Sequence, residues 1–459
     1  MKYIITVCLS LLFIMLSAPG VVAQLQNPLE LYIEQALRSN EALKSKEISL
    51  QKALISLNDA KSLFFPSVEL LADYTTGEGG RAISIPVGDM LNPVYSTLNK
   101  LTGSNAFPHI SNVRQDFFPT RFYDIKARVT MPILNTDIWY NVGINGFNKR
   151  IANADVYAYK RELIAEVKSA YFNYLSAVKG VAIWESALEL AAEGKRINES
   201  LLKNGAGLPV HLLRSESEIE EIGYKILEAK NLAGRGAKYL NFLMNRALDE
   251  PVDTSYIPEP VKTLSDYNLS SSNREEVAML RMALSIREEV HAMKKLFWIP
   301  KINAFVDLGM QESDFKLNPE SRYYLFGLQL SVPLFEGFRN INAVENAALD
   351  VEHSRYELNQ TERKIALAVS VAQDNLTAAL KALQSAEKRL DSAQSYYNLS
   401  MKGYRSGSTS FIETVDARTQ YTAARLSREI AYYGVLTAHA VIEREMGTAP
   451  LNYSNDKER

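Results

Sequence analysis

Two long stretches of the chain repeat apolar residues in alternating steps of four and three. In the C-terminal half these residues are Ile365, Val369, Ala372, Leu376, Ala379, Leu383, Ala386, Leu390, Ala393 and Tyr397, and in the N-terminal half they are Leu163, Val167, Ala170, Tyr174, Ala177, Val181, Trp184, Leu188 and Ala191. A period of 3.5 residues is typical of supercoiled helices. No proline lies between Phe338 and Ser408, so we expect one helix of about 65 residues there, on the order of 100 Å long.

Short segments with a period of two residues lie between the helical stretches. Their apolar residues are Tyr123, Ile125, Ala127, Val129 and Met131; Ile302, Ala304, Val306 and Leu308; and Tyr324, Phe326, Leu328, Leu330 and Val332, with Ser67 to Tyr74 a less regular fourth candidate. Each segment is about ten residues long, which suits a tilted strand that crosses a bilayer with one lipid face and one lumen face. The alternation alone also fits a half-buried sheet in a soluble α+β domain.

Proline marks equivalent positions in the two halves of the chain. Pro66 and Pro300 each precede a predicted strand, and Pro132 and Pro333 each lie where a predicted strand gives way to a helix. Proline lacks an N–H and restricts the residue before it, which favours a change of element. Pro132 and Pro333 are 201 positions apart. The recurrence of both kinds of proline position in the same order in the two halves indicates an internal duplication.

Two glycines extend this repeat to the turns between long helices. Gly205 and Gly407 are 202 positions apart, and glycine tolerates the positive φ of a sharp turn between antiparallel helices. Each half is thus predicted to consist of helix, strand hairpin, long helix, turn and long helix. We predict a signal peptide over residues 1–23, a first repeat over 24–240, a second repeat over 241–447 and a polar tail over 448–459.

The N-terminus has the pattern of an export signal. Lys2 precedes an apolar core from Ile4 to Leu16, and Val21-Val22-Ala23 resembles a cleavage site. A membrane anchor is the less favoured alternative, because this core is shorter than the roughly 20 residues of a spanning helix. The single cysteine, Cys8, lies inside the segment. The mature chain is therefore predicted to have no disulfide and no cysteine-bound metal.

Charge and motif content exclude several classes of function. The 51 Lys and Arg nearly balance the 53 Asp and Glu, for a net charge of −2, so there is no basic footprint for nucleic acid. The five histidines are scattered, and phosphate-binding loops, zinc-protease motifs and nucleophile elbows are missing from the sequence. We expect no catalytic residues, no cofactor and no metal.

Two hairpins supply four strands, and four strands are too few to close a barrel. An open sheet edge is not tolerated in lipid. If the strands cross a membrane, several copies of the chain must therefore share one barrel.

On these features the chain resembles the TolC family of outer-membrane efflux proteins. The residues that carry the resemblance are the exported start, Pro66, Pro300, the segment from Ser331 to Arg339 with Pro333 and Gly337, and the two glycine turns. The first half departs from the pattern, since Asn135-Thr136-Asp137 has no counterpart of Gly337.

The resemblance covers Asn27 to about Gly447 and implies a mainly α fold with a membrane β-barrel. Internally duplicated long helices would form a coiled-coil barrel in the periplasm, and four strands per chain would contribute to a 12-stranded barrel of a homotrimer in outer-membrane lipid. The implied function is that of an exit duct. Its implied partners are a periplasmic adaptor (a membrane fusion protein) and an inner-membrane pump.

The resemblance also implies that the duct narrows, and that the adaptor docks, at the helix turns around Gly205 and Gly407. Glu413 and Asp416 lie six and nine positions after Gly407 and share one helix face because they are three residues apart. Threefold symmetry would make them two rings of carboxylates, a cation-selective pore constriction. The alternative is a solvated acidic face beside Arg418.

Gate contacts are implied at Tyr404, His211 and Thr409. Tyr404 matches a tyrosine that ties the helix tips together in the family's closed state, whereas His211 and Thr409 stand where the family has an acidic residue and an arginine. A Tyr404–His211 contact would be pH-sensitive, since histidine titrates near neutrality. An exposed His211 without such a role is the alternative.

The first predicted hairpin carries a long loop, residues 75–120, whose counterpart in the second hairpin is much shorter. Its amphipathic stretch, Met90 to Leu101, fits either a lid over the extracellular mouth or a solvated loop with one or two helical turns.

A second hypothesis for the whole chain is a periplasmic coiled-coil scaffold or adaptor that does not span the membrane. The transported substrate is not encoded in any motif found here.

Overall fold

The computed structural model describes residues 27–117, 121–256, 274–313, 319–448 and 451. The predicted signal peptide with Cys8 and most of the predicted tail lie outside the described residues. In chain order the elements are α1 Pro28–Ser39, α2 Glu41–Ser62, β1 Ser67–Thr76, β2 Ala82–Ile85, α3 Val87–Thr102, β3 Val113–Asp116, β4 Arg121–Leu134, α4 Thr136–Lys203, α5 Pro209–Leu243, α6 Glu275–Lys295, β5 Lys301–Ser313, β6 Arg322–Ser331, α7 Arg339–Arg405 and α8 Phe411–Glu445.

The two predicted long helices are present. Helix α4 has 68 residues and α7 has 67, and each is followed by a helix of 35 residues. The seam residues Ile365, Val369 and Leu376 are buried, as the 3.5-residue period requires. The same succession of elements with nearly equal helix lengths supports the duplication, while the repeat boundaries stay a prediction.

The chain forms two compact units, and each draws on both halves of the sequence. The first comprises residues 1–53, 148–284 and 353–459, within the described parts of those ranges. One of its cores surrounds Leu163, Tyr171 and Leu240, and a second surrounds Leu376 and Val435. In each core, heptad residues of a long helix, such as Leu163 and Leu376, pack against other parts of the same unit.

The second unit, residues 54–147 and 285–352, contains an antiparallel sheet with the strand order β1-β4-β5-β6. All four predicted strands are confirmed. One face carries exposed apolar side chains, with Tyr324 81% exposed; the others include Val68, Leu70, Leu308, Phe326, Leu328 and Leu330. The opposite face is mostly polar. Among the described residues, no helix is both long and apolar enough to cross a membrane.

The two connections from strand to long helix differ. Pro132 lies near the end of β4, where the pairing with β5 shifts register, and α4 begins two residues after β4 ends. The side chain of Asn135 accepts a hydrogen bond from the Asp137 amide at 3.2 Å. The second connection, residues 332–338, is longer and has positive φ at Gly337 (62°) and Phe338 (63°). The first connection needs no glycine because it has no such turn.

The described part of the predicted loop, residues 75–117, is more ordered than one or two helical turns. It forms the 16-residue helix α3 and the separate hairpin β2–β3. Asn92 exchanges two hydrogen bonds with the backbone of Ile110, at 2.8 and 2.9 Å, and Asn99 exchanges two with Phe107, at 2.8 and 3.1 Å. These amides fasten the segment after α3 back onto the helix. Pro93 and the many glycines of this region hide that order from sequence periodicity.

The two helix turns close in the same way. The Leu201 carbonyl accepts from the amides five and six positions later, and so does the Gly403 carbonyl. Gly205 and Gly407 have φ of 70° and 78°, the left-handed conformation of a Schellman-type helix end. The 202-residue offset therefore reflects one turn geometry used twice.

We expect Gly407→Ala to lower the thermal unfolding midpoint, because a left-handed conformation costs a residue with a Cβ roughly 1–2 kcal/mol. Gly434→Ala is the matched control. Gly434 lies inside α8, and a Cβ there, as at Gly407, would have no heavy atom within 4 Å. Replacing it should stabilise the helix by about 0.5–1 kcal/mol. Circular dichroism in detergent measures both, and equal shifts would contradict the assigned turn.

Candidate functional site

Glu413 and Asp416 are exposed on the first turns of α8. Glu413 also takes part in a capping box: its amide donates to Ser410 Oγ at 3.3 Å, and its carboxylate accepts from the Ser410 amide at 3.1 Å. Asp416 accepts from Gln420 Nε2 at 2.8 Å. Both carboxylates thus have local partners within the chain, yet they remain on one solvent-facing side of the helix.

Tyr404 joins α7 to the first-half helices through a buried asparagine. Its hydroxyl donates to Asn198 Oδ1 at 2.5 Å, and Asn198 Nδ2 donates to Ser215 Oγ at 2.9 Å. Asn198 is 3% exposed. Burial raises the pKa of the Tyr404 phenol, so this hydroxyl stays a donor at physiological pH. The contact therefore does not depend on pH near neutrality.

His211 lies against Phe411 with ring centroids 4.8 Å apart, and Tyr404 lies against the same ring at 6.0 Å. The hydroxyl of Tyr404 is thus directed to Asn198, and the suggested contact with His211 is replaced by an indirect one through Phe411. Thr409 is part of the turn: its amide donates to the Gly403 carbonyl at 3.3 Å.

Arg418 is not solvated beside the acidic face; it is 2% exposed. Its Nε donates to Glu218 Oε1 at 2.9 Å, its Nη2 to Glu218 Oε2, and its Nη1 to the Leu190 carbonyl at 3.2 Å. A Cβ at Gly194 would come within 2.7 Å of Nη1. Arg418 therefore ties α8 to both α5 and α4, which the sequence reasoning did not foresee.

The sequence contains a signal for each of the two buried polar residues, Asn198 and Arg418. Continuing the N-terminal seam by steps of four and three beyond Ala191 leads to Lys195 and then Asn198, and a polar residue at a seam position specifies how helices pair. Gly194 lies inside a long helix, where glycine lowers stability by roughly 1 kcal/mol relative to alanine. Glycine at such a position indicates that a neighbouring group needs the space of a Cβ, and here that group is Arg418.

Within the described residues, no cluster of three or more His, Asp, Glu or Cys side chains is suited to hold a metal ion.

Comparisons with known proteins define the class to which this fold belongs. Residues 267–448 match the model of the family described as outer membrane efflux protein. The chain is 20% identical over 456 residues to the outer membrane protein TolC of Escherichia coli K12, covering 94% of this chain and 84% of that protein. It is 21% identical over 344 residues to the alkaline protease secretion protein AprF of Pseudomonas aeruginosa, covering 72% and 71%.

Solved structures agree over nearly the whole chain. The outer-membrane channel OprN has a TM-score of 0.76 at 18% identity, covering 92% of this chain and 90% of that one. The CmeC channel of Campylobacter jejuni has a TM-score of 0.75 at 16% identity, covering 92% and 86%. The fold is that of an outer-membrane channel. Together, the family match of residues 267–448 and these relatives support a TolC-type outer-membrane efflux channel, located in the outer membrane of a Gram-negative cell.

We expect Arg418→Met to destabilise the helix tips by about 3 kcal/mol or more, because it leaves the Glu218 carboxylate, which is only 12% exposed, without its partner. The double variant Arg418→Met/Glu218→Leu should recover most of this loss. Unfolding in denaturant, followed by circular dichroism, gives the free energy of unfolding of the parent, the single variant and the double variant.

Arg196→Met is the control, because the Arg196–Glu193 pair is exposed and such pairs contribute little. A loss in Arg418→Met no greater than that in Arg196→Met would contradict the structural importance of the buried pair.

Proposed function

We propose that three copies of this chain form the exit duct of a tripartite export system, in which a periplasmic adaptor joins the duct to an inner-membrane pump. The observation that carries this proposal is the four-stranded sheet, which has one apolar, exposed face and, in the part of the chain that the structure describes, no further strand paired at either edge. The outer-membrane location supports lipid as the partner of that face.

The geometry of the sheet favours closure by further copies. Among the described residues, β1 and β6 each pair on one side only. Because all neighbouring strands are antiparallel, β1 and β6 run in opposite directions, so β6 of one copy can pair with β1 of the next without breaking the pattern. Three copies would give twelve strands and satisfy the edge N–H and C=O groups, as a membrane requires.

Adjacent residues on β6 test this arrangement. Leu325 is on the polar face and Phe326 on the apolar face, and each is at least half exposed in the single chain. In the duct, Leu325→Cys should react rapidly with a water-soluble thiosulfonate reagent added to outer membranes, and Phe326→Cys should be protected by lipid. The mature chain is predicted to contain no other cysteine.

Equal labelling of the two cysteines would refute the proposed membrane sheet and favour a periplasmic scaffold that does not span the membrane. Labelling in detergent serves as the control, since there both positions should become more equally reactive. Single-particle electron microscopy of the extracted protein gives the copy number independently.

We further propose that Glu413 and Asp416 form two carboxylate rings at the narrow end of the duct. Their exposure on one face of α8, next to the Gly407 turn, supports this. The contacts of Tyr404 with Asn198, and of His211 with Phe411, would hold each tip in its closed arrangement, with Thr409 fixing the turn. The tips at Gly205 and Gly407 are the proposed docking surface for the adaptor.

Glu413→Gln separates the charge of the ring from the fold of the helix, because glutamine preserves a capping box. Together with Asp416→Asn it should reduce cation selectivity, measured as the reversal potential across planar bilayers in a KCl gradient. Glu413→Ala, which also removes the carboxylate that accepts from the Ser410 amide, is the comparison for structural damage. An unchanged reversal potential in the double amide variant would rule out the carboxylate constriction.

A further inference from the structure

Four charged side chains form a network on the polar face of the four-stranded sheet. Arg128 on β4 donates from Nε and Nη2 to the two carboxylate oxygens of Asp307 on β5, both at 2.7 Å. Lys126 donates to Asp124, and Tyr323 on β6 donates to the other oxygen of Asp124 at 2.7 Å. The charges of the two pairs cancel.

The Arg128–Asp307 pair is unusual for an open sheet. Asp307 is 2% exposed, whereas the Arg128 side chain is 38% exposed. The carboxylate is therefore hidden beneath the guanidinium, which covers it from the side of the sheet that faces solvent in the single chain. A two-pronged contact of this kind fixes the orientation of the arginine as well as its charge.

Two glycines on the same face let aromatic rings lie along the sheet. A Cβ at Gly327 would come within 2.5 Å of the ring of its cross-strand partner Phe305, and a Cβ at Gly309 within 2.8 Å of the ring of its partner Tyr323. Aromatic cover over a strand glycine is a known way to pin strand register. The guanidinium of Arg128 lies over Phe305, 5.2 Å from the ring centroid, and a cation over a ring is attracted to it.

These contacts hold Arg128 from two directions, by the carboxylate of Asp307 and by the ring of Phe305. The inference that follows rests on the proposed function, in which this polar face lines the lumen. We propose that Asp307 is a positioning residue that pins Arg128 against the lumen wall, so that the outer-membrane part of the duct keeps this positive charge neutralised and out of the path of the cargo.

Leu325→Cys serves as the reporter, because Leu325 lies directly opposite Asp307 on the neighbouring strand and on the same face. The ratio of its reaction rates with an anionic and a cationic thiosulfonate reports the local potential. Asp307→Asn should shift this ratio about threefold or more toward the anionic reagent, since it removes a negative charge and releases Arg128.

The pinning is tested by non-additivity. The shift caused by Asp307→Asn should be larger with Arg128 present than in an Arg128→Gln background, where there is no guanidinium to release. Asp73→Asn is the matched control, since Asp73 is an exposed carboxylate on the same face of the edge strand β1. Its shift should be the same in both backgrounds.

Equal shifts of Asp307→Asn in the two backgrounds would overturn the proposal, because the two residues would then act independently. Arg128→Lys provides a second route that leaves the buried carboxylate intact: it keeps the charge, loses the two-pronged contact and should also shift the ratio toward the anionic reagent. A ratio like that of the parent would again contradict pinning. If the Leu325→Cys reporter does not react at all in membranes, the proposed duct fails, whereas a reactive reporter with additive shifts refutes the pinning alone.

Discussion

The backbone groups along the outer edges of β1 and β6 impose the strongest constraint on this molecule. In lipid, an unpaired N–H or C=O costs several kcal/mol, and each edge strand has ten residues. Side chains cannot satisfy such an edge, because those on the apolar face are Val68, Leu70, Phe326 and Leu328. In the outer membrane, both edges therefore need partners, and the opposite directions of β1 and β6 make another copy of the chain suitable.

The same duplication that supplies two hairpins also supplies two pairs of long helices. Helices α4 and α7 differ by one residue in length, and the turns after them close on Leu201 and Gly403 with the same hydrogen bonds. The two halves of the chain differ, however, in the residues that they contribute to the contacts between them. The first half contributes Asn198 and Glu218, and the second contributes Tyr404 and Arg418. The tips are thus held by polar pairs whose two members come from different halves of the chain.

Periodicity was sufficient for the long helices and the four strands of the large sheet, because burial of a helix seam or a sheet face leaves a regular pattern in the sequence. It predicted α7 to within a few residues and all four strands of the large sheet. It failed where structure depends on single side chains: Asn92 and Asn99 order the loop around α3 through backbone contacts that have no period. Arg418 was likewise interpreted as a neighbour of a solvated face, because a charged residue carries no sign of its partner, Glu218, 200 positions away.

The charged residues show the same difference between features that sequence spacing predicts and features that depend on long-range contacts. Glu413 and Asp416 could be placed on one helix face by their spacing, and the structure keeps them exposed there. In the sequence, the members of the network Asp124, Lys126, Arg128 and Asp307 can be recognised only as the polar residues at every second position of two strands. Lys126 and Asp124 pair within β4, whereas Arg128 and Asp307 meet because strand register brings them opposite each other, although they are 179 positions apart.

In the proposed duct, these two arrangements of charge act differently on a passing ion. Carboxylates exposed on one helix face, repeated in each copy, sum to a field that a passing ion experiences. The paired charges of the sheet, Arg128 with Asp307 and Lys126 with Asp124, largely cancel at short range, and the residual field is screened over a Debye length of about 8 Å in physiological salt. The proposed function therefore assigns selection by charge to Glu413 and Asp416 at the helix tips and not to the paired charges of the sheet.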